Sequence, residues 1–218
     1  MIKIALAGNP NSGKTTLFNH LTGSKQFVGN WPGVTIDRKE GHLKGHKEVV
    51  IQDLPGIYSL SPYTMEEVIT RDYLLKEKPD VILNIVDASN IERNLYLTTQ
   101  LIEIGLPVVI SLNMMDVASR RGDIIDSEKL SHILGVPMIS TSAIRGKGAK
   151  EVIDASLANT KQSANKNLKI FSSAVEEAIS KTGLLIADFV EPAALRYFAI
   201  KVLEKDERIL ADLKLSHL

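Results

Sequence analysis

The sequence contains no cysteine among its 218 residues, which excludes a disulfide framework and thiolate chemistry and fits a reducing compartment. It has no excess of either charge, because 26 basic residues balance 26 acidic ones, and we therefore expect no nucleic-acid partner. No apolar run reaches the roughly 18 residues that would span a bilayer. The chain opens on a predicted strand instead of a signal peptide, so we expect the polypeptide as given to be soluble.

The most informative feature that is present is a glycine-rich stretch, residues 8–15, which fits the phosphate-binding pattern G-x-x-x-x-G-K-[ST]. A predicted strand precedes it and a predicted helix follows, which is the context this motif requires. Backbone N–H groups of such a loop converge on phosphate oxygens, Lys14 would reach the β- and γ-phosphates, and the Thr15 hydroxyl would ligate Mg²⁺. The predicted phosphate-binding residues are Gly8, Asn9, Pro10, Asn11, Ser12, Gly13, Lys14, Thr15 and Thr16.

Strand and helix patterns alternate through residues 1–160, which predicts an α/β domain with a mostly parallel six-stranded sheet and helices on both faces. A hairpin near residue 45 would add one antiparallel edge strand. Residues 159–167 are polar and predict a linker. Residues 161–218 predict a small all-helical domain whose thin core is expected either to pack on the first domain or to continue beyond Leu218. The expected strands are 2–7, 38–43, 48–52, 81–86, 108–112 and 136–140; the expected later helices are 65–76, 91–104, 127–134, 149–157, 168–181, 192–203 and 207–213.

Two further motifs follow predicted strands. Asp53 would hold Mg²⁺ through water, and Gly56, which has no side chain, would bring its N–H close to a γ-phosphate. Asp116 would accept two hydrogen bonds from guanine N1–H and its 2-amino group, a pair that adenine lacks. Asn113 would tie this loop to the phosphate loop. Each motif alone is also compatible with an ordinary turn or helix cap, but their order predicts a guanine nucleotide site.

The same site would include a group of residues that surround the guanine base. Met114 would cover the base face with its flexible thioether stem, and Val117 belongs to the same group. The Ala143 N–H would donate to guanine O6, and Ser142 would brace that loop. By itself this last signal is also typical of a helix cap.

The segment between the first helix and the second predicted strand, residues 26–35, is here called the first switch. The Thr35 hydroxyl would complete the Mg²⁺ shell when a γ-phosphate is present, with Gly33 and Val34 beside the nucleotide. Glycines and a proline in this segment suit an order–disorder transition with nucleotide state. Trp31, the only tryptophan, is either a partner-binding or a packing residue.

Together, residues 8–19, 28–35 and 53–60 closely resemble the G domain of the bacterial ferrous iron transporter FeoB, a Ras-like GTPase, and residues 29–35 are the specific part. The helical tail resembles the helical spacer domain of that family, compared there to a nucleotide-dissociation inhibitor, although it is shorter than expected and suggests truncation. The resemblance implies slow GTP hydrolysis coupled to Fe²⁺ uptake at the cytoplasmic face of the bacterial inner membrane. It also implies a membrane permease domain as partner, and it leaves homo-oligomerisation open.

The resemblance also implies a potassium site. Ile57 occupies the position at which many GTPases place a glutamine that orients the attacking water, and isoleucine cannot do this. FeoB-type GTPases carry an asparagine at the position of Asn11, whose side-chain oxygen binds K⁺ together with first-switch carbonyls. The implied cofactors are GTP or GDP, Mg²⁺ held by Thr15, Thr35 and Asp53, and K⁺ held by Asn11, Gly29 and Trp31; the implied catalytic residues are Asn11, Lys14, Thr35 and Gly56.

Three alternatives remain open on the sequence. A freestanding GTPase of ribosome assembly or tRNA modification shares the loop asparagine, but would usually add a basic RNA-binding domain. A GTP switch that needs a partner for turnover is compatible with Ile57. An ATPase is disfavoured by Asp116. The five histidines have no ligand spacing and are expected to be structural or at the surface.

Overall fold

The computed structural model describes residues 1–23, 26–160 and 168–214. Its strands are β1 (Ile2–Gly8), β2 (Gln26–Asn30), β3 (Asp37–Leu43), β4 (His46–Asp53), β5 (Val81–Asp87), β6 (Val108–Asn113) and β7 (Met138–Ser140). The α-helices of this part of the chain are α1 (Lys14–Thr22), α2 (Met65–Asp72), α3 (Ile91–Glu103), α4 (Met115–Arg120), α5 (Ser127–Leu134), α6 (Ala149–Asn159), α7 (Ser173–Ile186), α8 (Leu195–Leu203) and α9 (Glu207–Asp212). A π-helical turn, Tyr73–Glu77, continues α2.

The strands form one sheet in the order β2-β3-β4-β1-β5-β6-β7. Strands β4, β1, β5, β6 and β7 are parallel, whereas β2 and β3 are antiparallel to their neighbours. The predicted α/β class with a mostly parallel sheet is confirmed. The strand count is a correction, because the structure has seven strands and not six. The additional strand is β2, which lies in the first switch and takes the edge position that was expected for the hairpin.

Helices cover both faces of the sheet, and strand alternation sends side chains into a core on each side. In β1, Ala5 and Ala7 face one core while Ile4 and Leu6 face the other. All four side chains are fully buried. Because the parallel strands run in one direction, the loops that follow β1, β4, β6 and β7 gather at one edge of the sheet.

The C-terminal helices pack on the sheet domain. Helices α7 and α8 share a small core that includes Ile179 and Ala199, while Tyr197 of α8 is buried in the core beside α3. Helix α7 begins later than expected, at Ser173, and extends to Ile186. Residues 161–167 of the predicted linker lie outside the described residues. The predicted domain boundary at residues 160/161 falls at the edge of this gap, so it stays a prediction. No helix among the described residues is long and apolar enough to cross a membrane.

Candidate functional site

A cavity of about 860 Å³ lies at the carboxyl edge of the sheet, where the loops after β1, β4, β6 and β7 meet. Most of the predicted nucleotide-binding residues line it, although they come from four separate stretches of sequence. Those that line it are Asn9, Pro10, Asn11, Gly13, Lys14, Thr15, Thr16, Gly56, Asn113, Met114, Asp116, Val117, Ser142 and Ala143. The structure therefore brings the phosphate-loop residues together with the loops after β6 and β7, here called the base loops.

The loop after β1 has the geometry of an anion cradle. Asn11 and Gly13 both adopt positive φ, 64° and 94°, so the chain turns sharply before α1 begins at Lys14. The N–H groups of Lys14, Thr15 and Thr16 point out of the first helical turn and have no protein acceptor within the described part of the chain. Unpaired amides at a helix N-terminus attract negative charge. This end of the cavity is suited to phosphate oxygens.

Lys14 is held at the base of this loop by a buried ion pair. Its Nζ donates to Asp53 Oδ1 at 2.6 Å, and both side chains are less than a tenth exposed. The pair forms because β1 and β4 are parallel neighbours, so the residues after one strand meet the end of the other. A phosphate would compete with the carboxylate for the ammonium group and free Asp53 for a cation. Asp53 and the Thr15 hydroxyl supply the hard oxygen ligands that suit Mg²⁺.

Asn113 fastens the phosphate loop to the base loops. Its Nδ2 donates to the Ser12 carbonyl at 2.8 Å, and its Oδ1 accepts from the Ala143 N–H at 3.0 Å. The tie to the phosphate loop agrees with the prediction. In this structure the second bond engages the Ala143 N–H, and its expected donation to guanine O6 stays a prediction. The N–H of the next residue, Ile144, has no partner in the described chain and borders the same cavity.

The base end of the cavity is formed by the start of α4. Met114 adopts a left-handed conformation, φ 63°, which turns the chain into the helix. Asp116 in the first turn lines the cavity and keeps a 44% exposed side chain, with Arg120 Nη2 at 3.4 Å from its Oδ2. An accessible carboxylate beside a cation can accept hydrogen bonds from a base edge.

Several predicted site residues do not line this cavity among the described residues: Gly8, Ser12, Gly29, Trp31, Gly33, Val34, Thr35 and Asp53. Gly8 ends β1, Ser12 is a buried residue of the loop itself, and Asp53 is paired with Lys14. The first-switch residues lie elsewhere. Trp31 is buried in the core, so the packing alternative is the one the structure supports. Gly29 and Trp31 do not line the cavity that Asn11 lines.

Sequence reasoning missed four residues that line the cavity: Glu66, Arg120, Ile144 and Arg145. Glu66 had a usable signal. Thr64 and Glu67 form a reciprocal capping box that starts α2, and the pattern Thr-x-x-Glu marks such a start in sequence. Recognising the box would have placed Glu66 in the first turn of α2, after the loop that follows Gly56. Ile57, which follows Gly56, does not line the cavity, because its side chain is 2% exposed and packs in the core.

Comparison with known proteins agrees with this geometry. The family model for ferrous iron transport protein B matches residues 2–156, and the model for the FeoB cytosolic helical domain matches residues 171–217. The chain belongs to the FeoB family. It is 45% identical over 220 residues to the Fe(2+) transport protein A/Fe(2+) transporter FeoB fusion protein of Porphyromonas gingivalis, covering 96% of this chain and 26% of that protein. The chain thus spans about a quarter of the length of the curated relatives it matches.

Solved FeoB structures superimpose closely on the chain. An N11A mutant of S. thermophilus NFeoB bound to mGDP has a TM-score of 0.94 at 50% identity and covers 99% of this chain and 84% of that one. NFeoB from S. thermophilus bound to GDP.AlF4- and K+ has a TM-score of 0.89 at 51% identity, with coverages of 99% and 84%. The similarity includes the C-terminal helices as well as the sheet domain.

Proposed function

We propose that this chain binds GTP with Mg²⁺ and slowly hydrolyses it to GDP and phosphate. The observation that carries the proposal is the cavity in which an unpaired helix N-terminus, Lys14 and Asp116 face a common space. The distance between the phosphate and base loops is set by the Asn113 bonds. Relatives crystallised with guanine nucleotides support the assignment of the ligand.

Each residue has a role that follows from its position. The N–H groups of Lys14, Thr15 and Thr16 hold phosphate oxygens, and the Lys14 ammonium leaves Asp53 to neutralise the β- and γ-phosphates. The Gly56 N–H approaches the γ-phosphate. A side chain at this position would be crowded, because a Cβ on Gly56 would lie 3.2 Å from the Pro10 backbone. Thr15 and Asp53 would hold Mg²⁺, which would supply positive charge to offset the charge of the phosphates.

We extend the proposal to potassium stimulation. Because Ile57 is buried and apolar, the loop after β4 offers no side chain at this position to orient water or to offset charge. The Asn11 amide lines the cavity on an exposed turn, where its oxygen is available to a monovalent cation together with the Gly29 and Trp31 carbonyls once the first switch closes. A relative bound to K+ and a transition-state mimic supports this site.

The longer curated relatives are Fe(2+) transporters. We infer that this domain regulates or drives ferrous iron uptake by a membrane portion outside this chain, working at the cytoplasmic face of the bacterial inner membrane. A second candidate, a GTP switch that requires a partner for turnover, is favoured by one observation, the burial of Ile57. Basal turnover by the isolated chain separates the two.

The test is calorimetric titration with GTP, GDP and ATP in Mg²⁺ buffer, followed by phosphate release from GTP. We expect guanine nucleotides to bind and ATP not to bind measurably. Lys14→Ala should lose GTP binding, whereas Lys181→Ala, which removes a lysine whose side chain is 73% exposed on α7, should match the wild type. Equal affinity for ATP and GTP, or unchanged GTP binding in a folded Lys14→Ala protein, would contradict the proposal.

A further inference from the structure

We propose that Tyr73 is a positioning residue that restrains the first switch by seating the Trp31 side chain, and that release of this seat limits K⁺-stimulated hydrolysis. The proposal rests on the proposed function. It concerns two aromatic residues that lie outside the nucleotide cavity among the described residues.

The seat is an aromatic contact within the core. Trp31 is only 8% exposed although it lies in a surface segment. The Tyr73 ring meets it edge-on, with centroids 5.6 Å apart and an interplanar angle of 78°, the favourable T-shaped arrangement. The Arg38 guanidinium lies 5.2 Å from the centroid of the Trp31 ring, which adds a cation–π contact. These contacts hold the indole ring in the core, and it is not part of the cavity lining.

The seated ring determines where the backbone lies. The Trp31 carbonyl accepts from the Val34 N–H at 3.2 Å, and the Trp31 N–H donates to the Ile36 carbonyl at 2.9 Å. Gly29 is paired opposite Arg38 in the β2–β3 ladder. Of the two carbonyls assigned to K⁺, the Trp31 carbonyl is therefore held in a hydrogen-bonded turn and the Gly29 carbonyl belongs to the edge strand. To reach Asn11, the turn must open and the indole must leave its place beside Tyr73.

Two features favour release of the Trp31 side chain from its contact with Tyr73. The Trp31 Nε1–H is buried without a hydrogen-bond partner among the described residues, and an unsatisfied buried donor opposes the burial of its ring. Strand β2 is an edge strand whose Phe27 and Val28 side chains are more than half exposed. Beyond its ladder with β3, little core packing holds this strand, so the Trp31 contact adds an aromatic restraint at its end.

Tyr73 itself is well anchored. It begins the π-helical turn that continues α2, and π-helical turns in α-helices are frequent at functional sites. Two residues earlier, Arg71 is 1% exposed and pairs with Asp206 of the C-terminal part at 2.8 Å. The ring is therefore a fixed element, and Trp31 is the partner that moves.

Trp31 is the only tryptophan, so its emission and acrylamide quenching report this contact directly. In KCl and Mg²⁺, we expect a non-hydrolysable GTP analogue to shift the emission to the red and to increase quenching, whereas GDP should leave both near the nucleotide-free values. Tyr73→Leu, which keeps an apolar side chain but removes the ring, should raise quenching without nucleotide. It should also raise turnover in KCl about two- to tenfold, the range expected from one aromatic pair, with little change in NaCl. Tyr73→Phe keeps the edge contact and should behave as wild type.

A second variant covers the outcome in which Tyr73→Leu does not fold. Arg38→Gln removes the cation beside the Trp31 ring at a side chain that is 35% exposed, and it should raise turnover in KCl by a smaller factor in the same direction. A GTP analogue that binds without changing Trp31 emission would refute the proposed Trp31–Tyr73 restraint and leave the proposed GTPase function intact. Equal turnover in Tyr73→Leu and Tyr73→Phe, or in Arg38→Gln and the wild type, would also overturn it. Absence of any nucleotide binding would refute the proposed function, and this inference with it.

Discussion

Replacing Glu103 with glutamine should stabilise the protein above neutral pH. Glu103 ends α3 beneath the C-terminal helices, and its Oε1 lies 3.7 Å from Arg196 Nη2 without a hydrogen-bond partner among the described residues. Burial raises the pKa of Glu103 from 4.5 to about 7, although the charges of Arg196 and Lys201 act in the opposite direction; Glu204 and Glu176 raise it further. The folded protein therefore favours the neutral acid, whose shape and polarity glutamine reproduces.

The magnitude follows from the two pKa values. Since each pH unit between them is worth about 1.4 kcal/mol, ionising the buried Glu103 at high pH costs at most about 3 kcal/mol of the free energy of unfolding. Because the pKa of Glu103 is higher in the folded state, its contribution to stability is complete below about pH 4.5 and is lost as the pH rises through about 7. Glutamine does not titrate, so the variant should not lose this contribution.

Urea unfolding at several values between pH 5 and pH 9, followed by circular dichroism, measures the effect. The difference in unfolding free energy between Glu103→Gln and the wild type should increase with pH across this range. The control is Glu177→Gln, which alters a 66% exposed side chain on α7 and should run parallel to the wild type. Parallel curves for Glu103→Gln would refute the reasoning.

Three further predictions concern other parts of the structure. Asp116→Asn should weaken GDP binding about 100-fold and favour xanthosine diphosphate, because an amide can donate to the xanthine 2-oxo group; unchanged base preference in titrations would exclude Asp116 from base recognition. Gly13→Ala should abolish nucleotide binding, because a Cβ would lie 2.2 Å from Asn113 Nδ2 and φ is 94° at this position. Normal binding would contradict the role of Asn113 in holding the phosphate loop. Arg71→Leu should cost about 3–5 kcal/mol in urea unfolding because buried Asp206 loses its partner, and a loss below about 1 kcal/mol would disprove that.

Local sequence patterns predicted much of the fold and site. The phosphate loop was predictable because its glycines and Lys14 are fixed by short-range geometry, and the continuous apolar runs of β5 and β6 identified central strands. Strand β2 was not predictable, because its five residues, with burial on neither face, lack the alternation that marks a strand. Pairing with β3 determines its conformation.

Long-range pairing accounts for the other omissions. The Lys14–Asp53 pair depends on which strands are neighbours, which no single segment encodes. Arg71 and Lys201 look like surface residues of helices in the sequence, yet they are 1% and 2% exposed where the C-terminal helices pack on the sheet domain. Their burial became evident only from that packing.

The most direct test of the central claim is GTP turnover by the isolated chain in KCl and in NaCl at matched ionic strength. We expect stimulation by K⁺ alone, and we expect Asn11→Ala to lose this stimulation while its GTP affinity stays nearly intact. Equal, low rates in the two salts would contradict the potassium site at Asn11 and leave a GTP-binding switch that depends on a partner for turnover.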